Sequence, residues 1–177
     1  MTLTTTLYVG DPVDYREMWR RLRQLLGATD ADPTHEGPCS AFHPGCLELL
    51  HPQDLGLPAL VWMLVGQDGP IPPDHLDQEQ AHRHFAGCPW PVTAALSLDT
   101  TYSTRFRGGA TAADLHAALL DDLIGWLEHR GVRHYRWRQE ELGLDATSRE
   151  ELGRLGDMRL GRMAFGEREL VREGAAS

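Results

Sequence analysis

The chain has 177 residues, a length that suits one domain and one hydrophobic core held without disulfides or a structural metal. Its net charge is −9 and all 17 basic residues are arginine, which disfavours duplex nucleic acid as a partner and excludes mechanisms that need a lysine, such as Schiff-base or P-loop chemistry. No apolar run approaches the roughly 18 residues of a membrane helix. Met1 to Thr6 lacks the basic region of a secretory leader and the cysteines form no disulfide framework, so a cytoplasmic protein without membrane association is expected.

Leu3 to Val9, rich in Thr, Tyr, Leu and Val, predicts a strand. Asp11-Pro12 predicts a helix start with Asp11 as N-cap, Val13, Trp19, Leu22, Leu25 and Leu26 give its apolar stripe, and Gly27 closes it. Residues 28–45 read as a long polar loop and Cys46 to Leu50 as a short strand. Ala59 to Val65 is a continuous apolar run of the kind a strand buried on both faces carries, with Trp62 in the core. Asp74 is expected to cap a helix from His75 to Ala86.

Val92 to Leu98 predicts the next strand, ending at Asp99, with Gly108-Gly109 as a turn. Thr111 to Asp114 resembles a capping box, and Leu115, Ala118, Leu119, Leu123, Trp126 and Leu127 form the stripe of a helix closed by Gly131. Arg133 to Gln139 alternates, with Tyr135 and Trp137 on one face and His134, Arg136 and Arg138 on the other. A short helix capped by Ser148 and a strand from Met158 to Phe165 complete the reading. The order predicts an α+β (or mixed α/β) fold, a single sheet of about five to six strands with amphipathic helices packed on it. Residues 1–166 are expected to form one globular domain and 167–177 a flexible C-terminal tail.

Cys39, His43, Cys46 and His51 have the residue types that suit tetrahedral zinc, although their spacing matches no finger pattern and a Pro-rich loop with a buried Cys46 accounts for them equally. On a helix from 75 to 86, His75, Glu79 and His82 share a face and offer a second metal constellation, against which stands a solvated polar helix face. Zinc is the one cofactor these residues suggest. A third constellation lies where a strand ends and a helix begins. Asp99, Arg105, Arg107, Gly108, Gly109 and Thr111, joined by Arg136 and Arg138, suit a small anion or nucleotide, or else a polar hairpin whose arginines pair with surface carboxylates. Trp90, between two prolines, is the candidate exposed anchor for a partner. No catalytic template such as GxSxG, HExxH or CxxC is present.

Ser97-Leu98-Asp99-Thr100-Thr101-Tyr102, with Asp114-Leu115-His116, Gly125-Trp126-Leu127 and Arg130-Gly131, resembles a segment of small uncharacterised proteins of GC-rich actinobacteria and their phages. That resemblance implies a bacterial or phage protein with an accessory role, such as modulating a host or defence protein. The functional expectation is a non-catalytic protein-binding accessory protein whose partner is another protein, with homo-oligomerisation compatible. The alternatives are a small-anion or nucleotide binder and a zinc-binding domain or metal-dependent enzyme.

Overall fold

A computed structural model of the chain describes residues 2–37, 41–50, 58–85, 88–101, 108–142 and 167–171. The elements run β1 (Thr2–Val9), α1 (Tyr15–Leu25), β2 (Thr34–Glu36), β3 (Phe42–Glu48), β4 (Leu60–Gly66), α2 (Gln78–Phe85), β5 (Ala94–Thr101), α3 (Gly108–His129), β6 (His134–Leu142) and β7 (Glu167–Val171). They build one seven-stranded sheet in the order β2-β3-β4-β5-β1-β6-β7, antiparallel at every junction. The architecture is α+β, as expected, with β7 carrying the strand count past six. Residues 167–171, expected within a tail, instead pair with β6 from His134↔Val171 to Arg138↔Glu167. The helix expected after Ser148 and the strand expected from Met158 to Phe165 lie outside the described residues.

The first strand sits in the middle of the sheet. β5 and β6 both run antiparallel to it and therefore parallel to each other, so the β5-α3-β6 unit is a split crossover with β1 inserted. α1 and α3 lie on one face. Leu7, Val9, Val61, Met63, Leu96 and Leu98 from the sheet meet Met18, Leu22, Leu120, Leu123 and Leu127 from the helices in the main core. On the opposite face a smaller cluster gathers Tyr8, Phe42, Ala95, Ile71 and Val92, with Phe85 of α2 and Trp90 packed against it.

Local chemistry explains where the elements differ from expectation. α1 is capped by Asp14, whose carboxylate accepts from Glu17 N at 2.8 Å, and not by Asp11. Asp14 and Glu17 have the spacing of a capping box, whereas the Asp11 carboxylate is taken up by backbone N–H groups on the far side of the loop. Gly27, at φ 63°, follows the helix in the left-handed conformation that closes it.

The stretch from His75 is divided. Pro73–His75 is a 3₁₀ turn, Leu76 is extended, and α2 begins only after Asp77, which accepts from Gln80 N at 2.7 Å. β4 is half-buried and not buried on both faces. Val61, Met63 and Val65 enter the core while Trp62, expected in the core, is 45% exposed.

α3 starts at Gly108, so the expected Gly108-Gly109 turn is its first turn and Thr111 lies inside it. Its buried stripe is His116, Leu120, Leu123, Ile124 and Leu127, with Ala118 exposed and Leu119 at the margin. The stripe is rotated relative to the apolar pattern because a histidine occupies one of its inward positions.

Candidate functional site

His43 and Cys46, the two proposed zinc ligands among the described residues, do not converge. His43 and Cys46 both fall in β3, three residues apart, and so project from opposite faces. The His43 ring stacks on Tyr15 of α1 at 4.9 Å between centroids, on the helix side. Cys46 lies on the other side, where burial, then the charges of Glu48 and Asp99, push its thiol pKa up and disfavour the metal-binding thiolate. Cys39 and His51 lie outside the described residues.

In the second constellation His75 stands in the 3₁₀ turn, off the helix that carries Glu79 and His82, so the one-face spacing of the three is lost. Among the described residues no group of three His, Cys, Asp or Glu side chains is placed to hold a metal ion.

In the anion constellation the described residues Asp99 and Arg136 do not meet. Asp99 lies on the sheet face away from α1 and α3, where its Oδ1 accepts from Thr4 Oγ1 at 2.7 Å and Ser97 Oγ at 3.3 Å. Two hydroxyl donors make this a site organised around a carboxylate, the wrong charge to seat an anion. Arg136 projects from the same face but is paired in register with Tyr8, whereas Asp99 is opposite Thr4. Four residues of β1 separate those rows, or about 13 Å. Arg136 is buried to 8% exposure, and Arg138 takes the register position opposite Thr6. Gly108, Gly109 and Thr111 belong to the first turns of α3, and Arg105 and Arg107 lie outside the described residues.

Trp90 is half-buried and does not stand out from the surface. Its ring covers Gly10 so closely that a Cβ there would lie 2.5 Å from the indole, and it meets His134 edge-on at 6.4 Å. Beneath it, Asp11 accepts from Arg133 N at 2.6 Å, His134 N at 2.7 Å and pairs with His134 Nδ1 at 3.0 Å. Burial alone would raise the Asp11 pKa, but the hydrogen bonds from Arg133 and His134 outweigh it and hold the carboxyl below its ordinary value. This clasp fastens the β1–α1 link to the start of β6.

A second polar arrangement was hidden from the sequence pattern. His116 is fully buried under α3, with Nδ1 2.9 Å from Thr5 Oγ1 on β1 and Nε2 2.7 Å from Thr100 Oγ1 on β5. Both ring nitrogens are thus matched by hydroxyls that can donate or accept, which suits a neutral imidazole. Burial lowers its pKa to about 4. With no solvent access and no carboxylate beside it in the hydrogen-bond pattern, the triad ties helix to sheet.

A groove lies among the described residues between the start of α1 and the end of α3. Val13, Asp14 and Glu17 face Trp126, Arg130 and Val132 across a groove of about 280 Å³. Arg130 Nε reaches Glu17 Oε2 at 3.0 Å, and its guanidinium lies 4.0 Å from the centroid of the Trp126 ring. None of these residues belongs to a recognisable motif. The sequence showed Val13 and Trp126 in the apolar stripes of their expected helices and Arg130 beside Gly131, but not that the two helix ends meet. No described helix is long and apolar enough to cross a membrane. Comparison of the chain with protein-family models, with curated proteins and with solved structures finds no match.

Proposed function

We propose that this chain is a non-catalytic cytoplasmic accessory protein that acts by binding another protein, of the kind that a phage or prophage directs at a host or defence protein, and that it engages its partner at the groove between α1 and α3. The observation that carries this reading is the groove itself. An aromatic ring, aliphatic walls and charged groups meet there at the surface, a combination typical of interface anchor sites. The scaffold around it is rigid, since the α1 and α3 ends rest on the main core and the Asp11 clasp fixes the adjoining link. The described residues lend the metal reading no support, because His43 and Cys46 fall on opposite sheet faces and His75 stands on a separate element from Glu79 and His82.

The test is affinity capture with the intact chain and with Val13→Trp, which fills the groove from a half-buried wall position. The reading expects a partner that the natural chain retains and the variant loses, with the variant's thermal unfolding unchanged. A partner retained equally by both, or no partner at all, would refute it.

A further inference from the structure

We infer that the groove takes an arginine side chain of the partner protein, and that Arg130 occupies that seat in the unbound chain. The inference deepens the protein-binding reading and rests on it. Recognition of a guanidinium needs a flat π face beneath it and a carboxylate at its edge. Both are present and already mapped by the molecule's own guanidinium, which stacks 4.0 Å from the Trp126 centroid while donating to Glu17 at 3.0 Å.

The seat is loosely held. The Arg130 and Glu17 side chains are 42% and 46% exposed, so water screens their pairing and an incoming cation displaces Arg130 at little free-energy loss. Asp14 supplies a second carboxylate at the rim, and Val13 and Val132 provide apolar walls for the aliphatic stem of the incoming residue. The net charge of −9 draws a basic partner toward the surface. Arginine is preferred over lysine because only the planar guanidinium stacks on the indole and meets Glu17 edge-on at once.

The probe is N-acetylarginine methylamide, titrated into the intact protein while the Trp126 indole N–H resonance is followed, its assignment made by its absence in Trp126→Phe. The expected result is a saturable shift, with the lysine analogue weaker. Arg130→Ala empties the seat and tightens arginine binding about tenfold, whereas Glu17→Gln weakens it about tenfold. Loss of the Arg130 charge alone would favour the arginine and lysine analogues equally, so displacement from the stacked seat is marked by a gain that is larger for the arginine analogue. Unchanged or weaker binding by Arg130→Ala, equal binding of the lysine analogue, or no saturation would each overturn the inference. If partner capture still depends on the groove in the Val13→Trp comparison, the protein-binding reading survives such a failure. If capture does not depend on the groove, that reading falls independently.

Discussion

Folding carries His116 from water into a site with two hydroxyl partners and no exposure, and this makes stability pH-dependent in a defined window. Burial lowers its folded pKa to about 4 from the ordinary imidazole value of 6.5, so the unfolded chain binds a proton more readily than the folded one between those values. The stabilisation is complete above pH 6.5, falls as the pH drops toward 4, and is gone below it. Urea unfolding at pH 7 and pH 4.5 should show a loss of about 2–3 kcal/mol from this group, and His116→Gln should flatten the profile across the window. Asp11 acts in a different range. Its pKa lies below the ordinary aspartate value of 3.8, so its contribution persists above that pH and disappears only as the pH falls through the depressed folded value. Asp11→Ala removes the acceptor for two backbone N–H groups and His134. It should lower the unfolding free energy at pH 7 by about 2 kcal/mol, read from the denaturation midpoint at unchanged slope.

β4 shows at the scale of an element how far hydropathy alone can be trusted. Its sequence is apolar throughout, yet it presents only alternate residues to the α1–α3 core, because that layer covers one face of the sheet and α2 covers only part of the other. Met63→Ala should therefore cost about 2–5 kcal/mol, while Trp62→Thr on the same strand should change stability by about 1 kcal/mol or less, both measured by chemical denaturation. β1, β4 and β5, the helix closures at Gly27 and Gly131 and the alternation of β6 were legible in the sequence because each rests on a local rule of periodicity or backbone conformation, whereas β2, the first half of β3 and β7 fall where a polar loop and a tail were expected. Helix starts were not legible, because several Asp residues compete to cap. Asp11 lost to Asp14 because its carboxylate is taken by the distant Arg133 and His134 N–H groups, a contact that local sequence does not encode, while Asp77 caps α2 in place of Asp74 through Gln80 N. The phase of α3 was misread for a related reason. A buried histidine satisfied by Thr5 and Thr100 looks polar until its distant partners are known.

The whole molecule is organised around a first strand whose neighbours come late in the chain. β1 pairs with β5 from Thr2↔Thr101 and with β6 from Thr2↔Leu142, so the middle of the sheet cannot close until nearly all the described chain is in place. The same long-range closure explains why the groove was invisible in sequence: its walls come from residues 12–17 and 126–132, brought together only when α1 and α3 dock side by side. Among the described members of the candidate metal and anion sets, closeness along β3 puts His43 and Cys46 on opposite faces, and the sheet register puts Asp99 and Arg136 in different rows. A main core that joins β1 to β6, from Leu7 to Trp137, predicts one cooperative transition, with far-UV circular dichroism and tryptophan fluorescence coincident in urea. It also predicts that a chain ending at residue 132 fails to fold. Such a chain lacks β6, hence one neighbour of the central strand, the buried Tyr135 and Trp137, and the His134 half of the Asp11 clasp. Retention of a sigmoidal unfolding transition by the shortened chain would mean that the β1–β5 half holds a core of its own, and the sheet would then have to be regarded as two units joined at β1.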